Sequence, residues 1–427
     1  MRTPALRLVV AIRWNWCVPE MRLLHTSDWH IGVNHYRLDR TPDLDHVFEQ
    51  IKEIARDERV DLILHTGDLW DSANPGAEML KYAWTVLHDL SSVAPVVVVC
   101  GNHDNEKLFE LMGLILGDNH RIRFVDRSRL QLRAQSILCL PGSDGEVIRI
   151  AALPFIKSAT YIDQYLEGDP ARATVKYSDN MGSLEHQMGQ WLNAGYDPTR
   201  DIRIFAAHLL VDGARTSSEY QLYIARDFVT NPASIPPADY AAFGHIHKPQ
   251  QIVGLEHGRY VGSPIPIDFS EVGDSKRVHI VHGKPGYRLA IEDRILGQRR
   301  PMVDICGDLD SIAADREQYR GTIARVFVNL DHPVEQLDTQ LREMLANVEI
   351  CQIRPVYGVR GNGIAVVDEG ARNEPSVNEL FAAYSADRPD LGDSSRLGRY
   401  FSELYEKAAD GPASDPKLRE LEEIAET

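Results

Sequence analysis

The stretch Pro95-Val96-Val97-Val98-Val99-Cys100-Gly101-Asn102-His103-Asp104 sets an apolar run against four residues that do not belong in a core. Such a run, ended by Gly-Asn-His-Asp, reads as a buried strand that delivers polar groups to its C-terminal edge. In open α/β sheets that edge is where ligands bind. Asn102 offers a neutral oxygen ligand, His103 an imidazole that can carry a proton near neutral pH, and Gly101 the freedom for a sharp exit. Taken alone, the same four residues also read as a turn with a helix cap.

Working outward, apolar runs alternate with amphipathic helices from Met21. Strands are expected at Leu23–Ser27, Asp61–Thr66 and Pro95–Cys100. Between them, Thr41-Pro42 caps and opens a helix carrying Leu44, Val47, Phe48, Ile51 and Ile54 at helical spacing, and Ala77, Leu80, Trp84 and Leu87 mark another. This succession predicts right-handed βαβ units and a largely parallel sheet. Turn-rich segments between Ile122 and Phe155 predict added antiparallel strands, and later strands are expected at Ile202–Ala207, Tyr240–Phe243, Arg259–Val261 and Arg277–Val281. The fold class is therefore α/β, a two-layered β-sheet core flanked by helices. The expected order is a prefix (1–20) that is disordered or a mis-assigned start, a main domain (21–285), a small α/β capping domain (286–370), a helical segment (371–410) and an acidic tail (411–427).

Lys and Arg number 46 against 63 Asp and Glu, a net charge of −17, which excludes a protein that grips nucleic acid by its global field. Contact with DNA would have to be local, metal-assisted or shared. No apolar run approaches the roughly 18 residues of a membrane span. The five cysteines are scattered, without Cys-x-x-Cys spacing, as in a reducing compartment.

Five motifs fall at expected strand ends: Asp28-Trp29-His30, Gly67-Asp68, Gly101-Asn102-His103-Asp104, Ala207-His208 and Gly244-His245-Ile246-His247. Singly, Asp28 and Asp68 read as helix caps, His208 as a core histidine, and His245 and His247 as loop residues. Together they read as one metal site, because five independent polar strand ends on one sheet edge have no simpler reason. Asp, Asn and imidazole without thiolate favour intermediate cations such as Mn²⁺, Fe²⁺ or Zn²⁺. Asp71 accepts from a ligand histidine or caps a loop, while His25 and His65, inside strands, read as structural.

The ordered set Asp-x-His, Gly-Asp, Gly-Asn-His-Asp, a lone His and Gly-His-x-His resembles the signature of the calcineurin-like metallophosphoesterases. The resemblance implies one cation held by Asp28, His30, Asp68 and His247, and a second by Asp68, Asn102, His208 and His245. It leaves His103 unliganded as general acid or stabiliser of phosphate charge, with Asp104 orienting His103 or capping the next helix. The longer stretches His25–Gly32, Gly244–Pro249 and Gly262–Ile267 are similar to the SbcD-type nuclease subunits within that family. That branch implies a Mn²⁺-dependent DNA exonuclease and endonuclease of DNA repair, recombination and replication, with water activated by two divalent metal ions. It also implies a homodimer joined to an SbcC-type coiled-coil ATPase as a heterotetramer, with a cytoplasmic, nucleoid-associated setting.

Tyr36, Arg37, Arg40 and Lys248 are the candidate DNA contacts, and the stripe Leu397, Tyr400, Phe401 and Leu404 is the candidate dock for the ATPase. The rival readings are a small-substrate metallophosphodiesterase using the same site, and a non-enzymatic scaffold for the ATPase. Cleavage of hairpin or duplex DNA with Mn²⁺ separates the first from the main reading. The complete ligand set argues against the second.

Overall fold

The computed structural model describes residues 20–357 other than 118, 132–135, 157–169 and 217–228, and for 131 and 170–180 the backbone alone. Residues 1–19, the segment 371–410 with Leu397, Tyr400, Phe401 and Leu404, and the tail 411–427 lie outside the described residues.

Strand β1 (Met21–Thr26) is followed by helix α1 (Thr41–Asp57), β2 (Leu62–His65), α2 (Ala77–Val93), β3 (Val96–Val99), α3 (Glu106–Leu116) and β4 (Ile122–Val125). These four strands run parallel, as the βαβ reading requires. Next come β5 (Ile137–Pro141), β6 (Val147–Leu153), α4 (Pro170–Asn193), β7 (Asp201–His208), the short pair β8 (Leu210–Val211) and β9 (Val229–Thr230), β10 (Tyr240–Gly244), β11 (Gln250–Gln251) and β12 (Gly258–Tyr260). The chain then returns through β13 (Arg277–Gly283) and β14 (Ala290–Ile295). One six-stranded sheet has the order β14-β13-β1-β2-β3-β4 and the other β11-β12-β10-β7-β6-β5. The expected antiparallel pairing does occur between β5 and β6, within the second sheet.

The four valines of β3 are explained by burial on both faces. Val96 and Val98 pack with Leu44, Phe48, Ile51 and Leu87 on the helix side, whereas Val97 and Val99 pack with Ile148, Ile150, Ile204 and Ala206 of the second sheet. A third apolar layer joins Phe205, Ala207 and Phe243 to Met188 and Leu192 of α4. Helices therefore cover both outer faces, and the strand ends of both sheets meet at one edge.

Two local readings need correction. Thr41 does not cap α1: it is the first helical residue, the preceding Arg40 provides no side-chain cap, and Asp39 Oδ1 accepts from the Thr41 N–H at 2.9 Å. The expected boundary at 285/286 falls one strand before the sheet ends, because β14 pairs antiparallel with β13. A separate parallel sheet of β15 (Met302–Gly307), β16 (Ile323–Leu330) and β17 (Glu349–Tyr357) follows, with its own core of Ile305, Val326, Val328 and Leu341.

Candidate active site

Every motif residue sits where a strand leaves its sheet, and the loops are stitched together by backbone bonds. Asp28 N–H donates to Gly67 O at 2.9 Å and His30 N–H to Asp68 O at 3.1 Å, extending the β1–β2 pairing past the strands. Trp29, between the two ligand types, turns inward: it is fully buried, and its Nε1–H donates to Thr26 Oγ1 at 2.8 Å. Its packing in the core throws Asp28 and His30 to the other side. Asp28, His30, Asp68 and His245 all have positive φ, at 52°, 45°, 55° and 96°. Non-glycine residues held in that region carry strain that persists at functional sites.

Two glycines allow the close approach. A Cβ on Gly67, where φ is +110°, would strike the His208 ring, and one on Gly101 would strike the Asp68 backbone nitrogen and Oδ1. The need at Gly101 is thus space for Asp68, not the sharp exit its motif suggested.

The expected ligands do come together. Asp28, His30 and His247 form one cluster of possible ligand atoms, Asp68, His208 and His245 a second, and His30, Asp71 and His103 a third. Asn102 Oδ1 lies 2.8 Å from both His208 Nε2 and His245 Nδ1. Asp68 Oδ2 stands between the first two clusters, 3.3 Å from His208 Nε2 and 3.6 Å from His30 Nε2. All seven residues are buried.

These atoms fit divalent cations. The Nε2 atoms of His30 and His247 face each other at 3.1 Å, and Asp28 Oδ2 is buried without a hydrogen-bond partner among the described residues. His208 Nδ1–H donates to Thr66 O at 2.8 Å, which aims the Nε2 lone pair at the oxygens of Asn102 and Asp68. Lone pairs converging on lone pairs need a positive charge between them. In the metal-free protein a proton supplies it: burial opposes the charge, yet Asp68 lifts His208 to about 9. Burial likewise works against Asp68, but His208, His103 and His30 hold it well below the usual carboxylate range. Burial drives His245 down to about 3.

His103 donates its backbone N–H to Asp68 Oδ1 at 2.8 Å, and its Nδ1 lies 2.8 Å from Asp71 O. The Asp71 carboxylate is 3.1 Å from His30 Nδ1. The Asp104 oxygens accept from Gly101 N–H at 2.8 Å and Trp70 N–H at 3.1 Å, while Asn105, not Asp104, caps α3. Asp104 therefore ties the second motif loop to the third, and burial raises its carboxyl to about 7.

The candidate DNA contacts fare differently. Arg40 is buried at 4% exposure, with Nε donating to Asp43 at 2.8 Å and Nη1 to Pro266 O at 2.9 Å, so it is a structural tie and not a phosphate contact. Tyr36 donates its hydroxyl to Asp268 at 2.6 Å, and Lys248 pairs with Asp274 at 3.2 Å. Arg37 is exposed.

His65 ends β2 with its ring edge-on to Trp29, centroids 4.6 Å apart, and burial lowers it from 6.5 to about 3. A depressed folded pKa gives stability that is present above the unfolded value and lost as pH falls. Metal-free wild type is therefore expected to lose stability relative to His65→Gln by about 1.4 kcal/mol per pH unit between pH 6.5 and 4.5. Urea unfolding at each pH checks this, and parallel stability curves for the two proteins would refute it.

A family model described as calcineurin-like phosphoesterase matches residues 21–249, more than half of the chain's 427 residues. The chain belongs to the calcineurin-like phosphoesterase family. The family match and the clustered Asp and His side chains together support divalent metals as its cofactor. A second model, described as the type 5 capsule protein repressor C-terminal domain, matches residues 298–388, which begin just before β15. The SbcD component of the nuclease SbcCD from Escherichia coli (strain K12) is 29% identical to the phosphoesterase over 380 residues, covering 84% of this chain and 92% of that protein. The SbcD component from Bacillus subtilis (strain 168) is 29% identical over 297 residues, covering 66% of this chain and 71% of that protein.

Sequence reasoning missed Glu271, Lys276 and Ser263, which are buried behind His247. Ser263 falls within the Gly262–Ile267 stretch, but nothing in the spacing of Glu271 and Lys276 marks them as buried. No described helix is long and apolar enough to cross a membrane.

Proposed function

We propose that this phosphoesterase is the metal-dependent DNA nuclease component of a complex with an SbcC-type coiled-coil ATPase, cutting duplex ends as an exonuclease and hairpins or single strands as an endonuclease. The observation that carries the reading is the convergence of seven ligand side chains with His103 beside them, on a chain similar to the SbcD component of nuclease SbcCD over most of its length. Asp28, His30, Asp68 and His247 would hold one divalent ion, and Asp68, Asn102, His208 and His245 a second. The oxygen and imidazole donors, with no thiolate, suit Mn²⁺. Bound divalent ions polarise a phosphodiester and make water acidic enough to supply a nucleophile near neutral pH.

The chain's own residues do the rest. With Nδ1–H donated to Asp71 O, the His103 ring is held beside the ligand cluster, where it can give a proton to the leaving oxygen or steady the phosphate charge. Asp71 also backs His30, so one residue aligns both rings. Arg37 remains the candidate for a DNA phosphate. A homodimer is supported by Leu111, Leu114 and Ile115 of α3, which are 51%, 76% and 72% exposed. A cytoplasmic, nucleoid-associated setting goes with that substrate.

The test is an assay of purified protein with Mn²⁺ on hairpin and blocked-end duplex DNA, with and without the ATPase and ATP. Cleavage that the ATPase strengthens is expected. Hydrolysis of a nitrophenyl phosphodiester with neither DNA cut would replace this reading with a small-substrate phosphodiesterase.

A further inference from the structure

Behind the metal-facing ring of His247 lies a fully buried ion pair that the reaction scheme does not use. Glu271, in the short turn Phe269–Glu271, brings Oε1 to 3.0 Å from His247 Nδ1. Its Oε2 receives Lys276 Nζ at 2.6 Å and lies 3.2 Å from Ser263 Oγ. Lys276 Nζ also donates to Ser263 Oγ at 2.9 Å and to the His247 carbonyl at 3.0 Å. Both charged side chains have 0% exposure. A buried ion pair seldom adds stability over apolar residues of the same shape, so its presence beside a ligand needs another reason.

A carboxylate can only accept, so the proton on His247 sits on Nδ1 and the lone pair on Nε2. That nitrogen is the one facing His30 Nε2 at 3.1 Å. His30 is arranged the same way, its Nδ1 3.1 Å from the Asp71 carboxylate. His208, in the other cluster, is backed by the Thr66 carbonyl at 2.8 Å. Carboxylate backing makes an imidazole a stronger donor than carbonyl backing does.

We infer that Glu271, with its charge balanced by Lys276, is a positioning residue that fixes the His247 tautomer and makes the Asp28–His30–His247 pocket the tighter of the two cation pockets. Lys276 holds the ligand from both sides, through the carboxylate behind the ring and through the backbone carbonyl of His247 itself. The inference rests on the two-metal reading above.

The test is calorimetric titration of the metal-free full chain with MnCl₂, wild type against the double variant Glu271→Gln/Lys276→Met, which removes both charges and strands neither. Wild type should bind in two steps. In the double variant the tighter step should weaken roughly 10- to 100-fold and the other should hold. Two unchanged steps, or two steps weakened alike, would overturn the assignment. Should the variant fail to fold, ¹⁵N-histidine spectra of metal-free wild type decide: His247 with its proton on Nδ1 supports the inference, and a proton on Nε2 removes it. Wild type that binds no Mn²⁺ takes down both this inference and the two-metal reading. Wild type that binds Mn²⁺ but cuts no DNA overturns the nuclease reading alone, and the titrations still decide this one.

Discussion

His103→Ala is expected to lower turnover on DNA by roughly 10²- to 10⁴-fold while metal binding stays intact, the range a single general acid or base contributes. The ring stands edge-on to His30, centroids 4.7 Å apart, with Nδ1 tied to the Asp71 carbonyl. That places an imidazole against the ligand cluster. The position has one rival role, because His30, Asp71 and His103 also lie close enough together to hold an ion. Measuring kcat and Mn²⁺ stoichiometry on the same variant separates the two. Lost turnover with full stoichiometry makes His103 the proton-bearing group, and a lost ion makes it a ligand. Unchanged kcat would remove it from the reaction. A proton donor also predicts that the variant loses one limb of the pH–rate profile, which a merely packed ring would not control.

How much of this was legible in the sequence follows from what each residue type must do. The valine run was readable because a strand buried on both faces has no alternation to hide, and its polar end was readable because ligands gather where such strands stop. The clustering of the candidate ligands was readable because each follows or closes a strand, so its position in the chain already fixes its place on the sheet edge. Arg40 misled because an arginine in a surface loop carries no mark of burial. Only the fold brings Pro266 O to its guanidinium and Asp43 beside it. Asp104 was ambiguous for a related reason: its partners, Gly101 N–H and Trp70 N–H, are backbone groups, and backbone donors leave no trace in composition. Glu271 and Lys276 are five residues apart in a polar stretch and resemble solvated charges. Their burial comes from the return of the chain behind His247, a long-range event with no local pattern.

Asp28 offers the sharpest separation of stability from metal binding. Its Oδ1 accepts from the His245 N–H at 2.9 Å, while Oδ2 is buried with no donor among the described residues. Burial raises its pKa, as expected for a carboxylate that lacks its counter-ion. Asn is nearly isosteric, keeps the Oδ1 acceptor, and tolerates the left-handed backbone here, where φ is 52°. Asp28→Asn should therefore leave the metal-free protein at least as stable as wild type, with a gain of about 1 kcal/mol from relieving the buried anion. The same change removes one of the two carboxylates proposed for the ion beside His30 and His247, leaving Asp68, which is shared with the other ion. If affinity there falls roughly 100-fold, an Mn²⁺ concentration that stabilises wild type by about 2.7 kcal/mol stabilises the variant by only about 0.4 kcal/mol. Thermal melts with and without Mn²⁺ read both effects at once. A variant that melts no lower when metal-free but gains little from Mn²⁺ fits Asp28 as a ligand whose charge costs the fold something until a cation arrives. An equal Mn²⁺-dependent rise in wild type and variant would show that Asp28 holds no metal.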